Sequence, residues 1–307
     1  MTSTPRIAVL IPCHNEEATI AQVVADFRQA LPEATIYVYD NCSTDATAAV
    51  ARAAGATVRT EPRKGKGYVV RSMMRDVEAD CYLLVDGDNT YPACHAPALC
   101  AEVLAPQPCD MVIGDRLSTS YFTENKRPLH GAGNRLVRWL INRLFHSHIH
   151  DIMTGYRAMS RRFVKNMPLL SQGFEVETEM TIHALENNFR ISEMPIDYRD
   201  RPQGSVSKLS TMTDGFKVIC TIVRLFCDYR PLAFFSVVAL CLALLAGVLV
   251  VPGFIDYLHT RLVLRFPTLI VACFIMLMAM LFFIGGLILQ VLVRQNRQHY
   301  ELWVKSR

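Results

Sequence analysis

Asp86 and Asp88 stand two residues apart at the end of a short apolar run, Cys81-Tyr-Leu-Leu-Val85. A run of that length bounded by polar residues reads as a buried strand. Ligands of open α/β sheets bind at strand ends. Two carboxylates there repel each other unless a cation lies between them. A hard divalent ion with oxygen ligands suits the position and brings substrate phosphates with it. The plain alternative is a surface turn, since Asp, Gly and Asn also form turns. Lys64 and Lys66 alternate with Gly65 and Gly67, which suits close approach to a phosphate. By itself such a loop is more often a solvated turn. It lacks the spacing of a Walker loop, and no Gly-x-Gly-x-x-Gly follows the first strand. Asp40 ends a second strand-like run and offers an acceptor to a base or ribose.

The elements that must position these residues alternate over the first ~115 residues. Strands are expected over 6–12, 35–39, 57–60, 81–85 and 110–114. Helices are expected between them, one capped by Asn15 with Glu16 and Glu17 in its first turn and one capped by Asp45. A further helix is expected from Glu175 to about Asn188, then a strand from Arg190 to Tyr198. The rhythm predicts an α/β fold, a mostly parallel sheet with helices on both faces. From residue 205 to 230, apolar positions recur every three to four residues, which predicts an amphipathic helix. It would lie on the soluble domain or at a membrane interface.

The chain has 307 residues, a hydrophobic fraction of 51% and a positive mean hydropathy. The excess lies at the C-terminal end. Leu232 to Pro252 and Pro267 to Val293 carry no charged residue, and each is long enough to cross a hydrocarbon core of about 30 Å. The resulting division is a strand–helix domain over 1–204, the amphipathic helix over 205–230, two transmembrane helices within 231–293 joined by a short loop, and a basic tail over 294–307. No signal-peptide pattern opens the chain. Arg294, Arg297, Lys305 and Arg307 follow the second span, whereas only Arg261 and Arg265 lie in the connecting loop. The positive-inside rule then puts both termini and the strand–helix domain in the cytoplasm, on a multi-pass inner-membrane protein. A net charge of +4 is too small to suggest nucleic acid. Ten scattered cysteines without a Cys-x-x-Cys pair read as small buried hydrophobes in a reducing compartment.

Taken together, the motifs resemble those of family 2 glycosyltransferases of the GT-A fold, in the branch of polyprenyl-phosphate sugar transferases such as dolichol-phosphate mannose synthases. Ile11-Pro12-Cys13-His14-Asn15-Glu16-Glu17 resembles the opening strand and nucleotide-facing loop. Asp40-Asn41-Cys42-Ser43-Thr44-Asp45 resembles an Asp-Asp-x-Ser-x-Asp segment, with Asn41 in place of the second Asp. Asp86-Gly87-Asp88 resembles the Asp-x-Asp metal motif, and Gly114-Asp115-Arg116 a Gly-Ser-Arg segment. Asp151-Ile-Met-Thr154-Gly155-Tyr156-Arg157 resembles Asp-x-x-Ser/Thr-Gly-Phe/Tyr-Arg. Glu193-Met-Pro195 and Arg201-Pro-Gln-Gly204-Ser-Val-Ser207-Lys208 resemble the segment that closes the site.

The resemblance implies roles. Pro12, Glu16 and Asp40 would hold the nucleoside of a nucleotide sugar, with Lys64, Lys66, Arg201 and Lys208 toward its diphosphate. Asp86 and Asp88 would bind Mg²⁺ or Mn²⁺; Thr90 stands where some mannose synthases add a Gln. Arg116 would face the phosphate of a polyprenyl phosphate acceptor, and Asp151, Arg157 and Glu177 would complete the catalytic set. Asp151 is open between general base and a group that orients the acceptor or binds arginines. The implied reaction is inverting transfer to a polyprenyl phosphate at the membrane. Transfer to a glycan or protein acceptor, and a catalytically silent membrane scaffold, are the rival readings. A homo-oligomer is left open. Two patterns point elsewhere. Arg135-Leu-Val-Arg138-Trp139 echoes a processive-synthase motif but precedes Asp151, and reads as helix surface. His146, His148 and His150 alternate beside Asp151, but a zinc site needs a closed ligand set that this loop does not itself offer.

Overall fold

The computed structural model describes residues 4–118, 128–173, 175–199, 224, 227, 229–263 and 265–305. The chain divides into two compact units, 1–211 and 212–307. In the first, β1 (Ile7–Cys13), β2 (Thr35–Asp40), β3 (Thr57–Thr60), β4 (Cys81–Leu84), β5 (Met111–Asp115), β6 (Arg157–Ser160) and β7 (Ile191–Pro195) form one seven-stranded sheet. Its order is β3-β2-β1-β4-β6-β5-β7. All neighbours pair in parallel except β6, which runs antiparallel to both β4 and β5. The mostly parallel sheet is therefore as expected from the alternating pattern.

The helices of this unit are α1 (Ile20–Ala30), α2 (Thr47–Ala53), α3 (Lys66–Asp76), α4 (Ala96–Val103), α5 (Pro128–Phe145), α6 (Arg161–Asn166) and α7 (Val176–Glu186). β1 and β4 are buried on both sides, so they read as continuous apolar runs instead of alternating ones. Val9, Ile11, Leu83 and Val85 join Val23, Val24 and Phe27 of α1 and Leu99 and Val103 of α4 in one core. The intervening residues, such as Leu10 and Leu84, point to the opposite face, and α3 packs on β1 and β2. Burying each such side chain contributes about 1.5–3 kcal/mol.

Three local expectations are corrected. Asn15 does not cap α1, which starts five residues later with Thr19 at its N-cap position. Asn15 takes a left-handed backbone with φ 53°, and its Oδ1 accepts the Thr44 N–H at 2.8 Å. Glu16 and Glu17 thus lie in a turn before the helix. Lys66 is not in the phosphate-type loop but opens α3. Asp45 stands one residue before Ala46, the N-cap position of α2, and its Oδ1 accepts the Thr47 N–H at 3.0 Å.

The second unit contains α8 (Pro231–Thr260) and α9 (Phe266–Lys305), which pack against each other. Ala239 and Ala246 of α8 and Ala272, Ala279 and Gly286 of α9 are buried small residues. Their seven-residue spacing keeps them on one seam. Phe235 stacks on Phe282 at 6.0 Å. The large apolar residues point the other way, Leu240 and Leu281 among them, with Val248 68% exposed. Both helices are long and apolar enough to cross a membrane. The loop expected over 253–266 is mostly helix. α8 continues through Pro252 to Thr260 and ends at Arg261, whose left-handed backbone directs its N–H to the Tyr257 carbonyl. An ion pair between Arg265 and Asp256 at 2.8 Å spans the turn. The expected basic tail continues α9 as far as Lys305. The amphipathic segment 205–230 lies almost wholly outside the described residues.

Candidate active site

The carboxyl ends of β1, β2, β4 and β5 all face one rim, where loops from parallel strands gather. Asp40 closes β2 at this rim. It is buried, its Oδ2 accepts the Ser43 N–H at 3.4 Å, and its Oδ1 has no hydrogen-bond partner among the described residues. A buried acceptor left unmatched costs about 1–3 kcal/mol, so the position suits a donor group from a ligand. Asn41 explains its own departure from the Asp-Asp pattern. Its amide donates to the carbonyls of Glu61 and Arg63 at 3.0 and 2.8 Å, and its Oδ1 accepts the Gly65 N–H at 2.8 Å. A carboxylate could make only the last of these. Asn41 therefore shapes the 61–65 loop. Gly65 ends that loop with φ 142°, where an added Cβ would lie 2.2 Å from the Gln172 carbonyl oxygen. Lys64 is exposed on the same loop. Glu61 is held by Arg63 and Ser72, and these bonds bring its carboxyl down to about 2.

Lys66 reaches inward. Its Nζ lies 2.5 Å from Asp86 Oδ1 and 2.5 Å from Glu177 Oε1. Burial alone would lower the lysine, but the two carboxylates outweigh it and hold the ammonium above its ordinary value. Asp88 Oδ1 accepts the Thr90 hydroxyl at 2.7 Å. Gly155 closes the other side of Asp86, since a Cβ there would lie 2.5 Å from Asp86 Oδ2. Thr19 ties the start of α1 to this motif by donating to the Gly87 carbonyl at 2.7 Å. Glu16 is half-buried, with its Cγ 3.6 Å from where a Cβ on Gly87 would be, and Pro12 is half-buried on β1. Asp86 and Glu177 set two carboxylates against one ammonium. An oxygen-only, anionic donor set of this kind fits a hard divalent cation.

Arg116 and Asp151 form a second, tighter group. Both are buried, and the arginine forks onto the carboxylate, Nε to Oδ2 at 2.7 Å and Nη2 to Oδ1 at 3.0 Å. The Arg116 N–H also donates to Oδ2, and the Met153 N–H to Oδ1. Tyr91 joins the two groups. Its hydroxyl oxygen accepts from Arg116 Nη1 at 3.3 Å and from the Gly155 N–H at 3.1 Å, and burial raises its pKa. Tyr91 was missed by sequence reasoning, because a single tyrosine after Asp-Gly-Asp-Asn-Thr carries no spacing signal.

Arg157, expected in the catalytic set, is fully buried on β6. Its guanidinium donates to the carbonyls of Ile152 and Thr154 and to Thr181 Oγ1 at 2.5, 3.0 and 2.8 Å. Burial pulls it down to about 10 even though Glu177 and Asp151 act in the opposite sense. It braces the 151–154 turn from beneath. Glu193 accepts the N–H groups of His150 and Asp151 at 2.8 and 3.1 Å, and burial raises its carboxyl. His150 turns Nδ1 toward both Asp115 and Glu193, so these three residues could hold a metal ion. Arg201 and Lys208 lie outside the described residues. The Arg135–Trp139 stretch lies on α5, with Trp139 exposed and Val137 buried, as a helix surface should.

The Glycosyl transferase family 2 model matches residues 8–167. Glycosyltransferase AglJ of Haloferax volcanii is 34% identical over 239 residues, covering 77% of this chain and 77% of that protein. The dolichyl-phosphate hexose transferase of the same organism is 28% identical over 224 residues, covering 73% of this chain and 95% of the relative. Among solved structures, glucosyl-3-phosphoglycerate synthase from Mycobacterium tuberculosis, crystallised with Mn²⁺, UDP and phosphoglyceric acid, superimposes with a TM-score of 0.58. That match has 22% identity and covers 73% of this chain and 78% of that one. The chain belongs to glycosyl transferase family 2 and has the GT-A fold. It is a glycosyltransferase.

Proposed function

We propose that the enzyme transfers a hexose from a UDP- or GDP-linked sugar to a polyprenyl phosphate at the cytoplasmic face of the inner membrane, with inversion at the anomeric carbon. The observation that carries this reading is the presence in one chain of the Asp86–Lys66–Glu177 cluster and two helices able to span a bilayer. The likeness to a protein named dolichyl-phosphate hexose transferase supports the acceptor class. The UDP and Mn²⁺ of the structural neighbour support the donor class.

In this reading Asp40 receives the nucleoside through its unmatched oxygen, with Pro12 and Glu16 lining the approach. Lys64, Lys66, Arg201 and Lys208 serve the diphosphate. Asp86 and Asp88 would hold Mg²⁺ or Mn²⁺, which supplies positive charge to the departing nucleoside diphosphate. A phosphate monoester is already an anionic nucleophile at pH 7, its second pKa being about 6. It needs orientation and exclusion of water more than it needs a base. Asp151 fits that requirement. Its two oxygens receive four N–H groups, an arrangement for holding Arg116, which we assign to the acceptor phosphate. Arg157 and Glu177 then act as positioning residues, the first under the 151–154 turn and the second on Lys66.

Membranes incubated with a panel of labelled nucleotide sugars should pass label into the organic phase for one donor, and Asp88→Asn membranes should not. Label confined to an aqueous glycan or to protein would favour the anchored-transferase alternative. Label in no fraction would place the donor outside the panel. A form ending before residue 231 should still bind nucleotide but transfer poorly to long-chain lipid, since residence at the membrane raises the effective acceptor concentration.

A further inference from the structure

Asp115, His150 and Glu193 come from three separate stretches of chain. Asp115 ends β5, Glu193 lies within β7, and His150 is in the turn before Asp151. The β5–β7 register sets Ile113 opposite Glu193. Asp115, two residues beyond Ile113, therefore lies on the same face as Glu193, one diagonal step along the ladder. Asp115 is 2% exposed and Glu193 18% exposed at its side chain. Two such carboxylates side by side repel unless a cation joins them. His150 Nδ1 stands 3.6 Å from Asp115 Oδ2 and 3.7 Å from Glu193 Oε2. All three ligand atoms lie within 4.8 Å of one another.

We propose that these residues form a second metal site, for a divalent transition ion of the Zn²⁺ class. Nitrogen and oxygen ligands bind tetrahedral zinc at about 2.0–2.2 Å, so neighbouring ligand atoms stand about 3.3–3.6 Å apart. The two histidine–carboxylate separations match that spacing to about 0.2 Å, the tolerance expected of a preformed site. A single imidazole with two carboxylates suits a borderline ion better than Mg²⁺, which prefers oxygen and water. The ligands are already oriented from behind. Asp115 accepts the Leu117 N–H at 2.9 Å and the Ser118 hydroxyl, and Glu193 accepts the backbone N–H groups of His150 and Asp151. Such outer hydrogen bonds are part of a working metal site. The His150 side chain is 63% exposed, which leaves an open side for entry and a fourth, water ligand.

The site is separate from the Asp86–Asp88 pair. β6 intervenes between β4 and β5, so their strands lie two ladder spacings, about 10 Å, apart. The ion would join β5, β7 and the turn at residue 150. It would thereby fix Asp151, and through Asp151 the Arg116 fork. The inference stands whatever the donor and acceptor prove to be.

The test uses full-length protein in detergent, stripped with a chelator and titrated with Zn²⁺ against a chromogenic competitor. One ion should bind per chain, and binding should persist when Asp86 and Asp88 are both changed to Asn. His150→Ala should weaken it by more than the roughly 10–100-fold that an outer-shell change costs, as should Glu193→Gln. His148→Ala, two residues away and exposed, should leave it unchanged. Co²⁺ in place of zinc should show visible bands of tetrahedral ligation that His150→Ala abolishes. His150 is exposed enough for its variant to fold, which circular dichroism checks, so it decides the matter even if the Glu193 variant does not. The proposal is overturned if the stripped protein takes up no zinc at about micromolar free ion. It is equally overturned if His150→Ala binds as wild type, or if binding is lost with the Asp86 and Asp88 substitutions.

Discussion

Asp86 and Asp151 are both carboxylates paired with a buried cation, but the two pairs are built differently. Asp86 meets a lysine that reaches in from the first residue of α3 and is shared with Glu177. Asp151 meets an arginine in a two-pronged fork, with two backbone N–H groups added to the same oxygens. An ammonium on a four-carbon stem is a point charge that rotates away at little cost, whereas a planar guanidinium gripped at two points is not easily moved. In the proposed function the donor end of the site thus carries an exchangeable countercharge, and the acceptor end a fixed one. A site that must admit and release a charged diphosphate needs the first kind. A site that must hold an acceptor in line needs the second.

The largest effect is expected at the donor end. Asp88→Asn should lower turnover on the order of 10²–10³-fold or more while the melting temperature stays close to wild type. Near-normal turnover in excess Mg²⁺ and Mn²⁺ would remove the metal assignment. At the acceptor end the loss should appear first in stability. Asp151→Ala strands the Arg116 charge in a buried setting, and removing one partner of such a pair costs about 3–5 kcal/mol. Denaturant unfolding of the variant measures this directly. A change below about 1 kcal/mol would mean that the fork behaves like a surface pair and that the contrast between the two ends is false.

Lys66→Ala sharpens the comparison further. Without divalent ion it should cost about 1–3 kcal/mol, the range for hydrogen bonds to charged groups. Added Mn²⁺ should then raise its melting temperature by more than it raises that of wild type, because a cation takes the vacated place. Equal shifts in the two proteins would show that the lysine and the metal do not compete. The last effect concerns pH. His183 lies on α7, the helix that carries Glu177, and burial lowers it to about 4. The unfolded value is near 6.5. The folded group resists protonation, so its contribution is complete above about pH 6.5 and is lost as pH falls toward 4, up to about 3 kcal/mol in all. His183→Gln should flatten the fall in stability across that window, and an unchanged slope would exclude this histidine as its source.

Much of the strand that leads into Asp86 was legible in the chain itself. The run into Asp86 is apolar because β4 is buried on both faces, and a strand of that kind can be read without knowing its neighbours. Thr57–Thr60 was placed to the residue. Asn15 misled because the sequence shows a good capping residue but not the Thr44 N–H that claims it. The loop expected after Pro252 failed for a related reason: proline lacks one donor, yet a long apolar helix can continue past it. Arg157 looked functional by its motif. Its position under the 151–154 turn depends on Thr181, which is 24 residues away, so no local pattern could reveal it.

The sequence by itself determined the strand–helix alternation and the two long apolar segments, since periodicity and composition act over short stretches, and its motifs carried the resemblance to the family. Only the tertiary structure decided which charges meet. Lys66 could have stayed on its loop, Asp151 could have faced solvent, and His150 could have paired with the histidines beside it. Sheet order brought β4, β5, β6 and β7 together instead, and burial allowed those charges to persist only beside partners of opposite sign. Ionic partnership depends on distances in space between residues distant in the chain, and a linear pattern does not carry those distances.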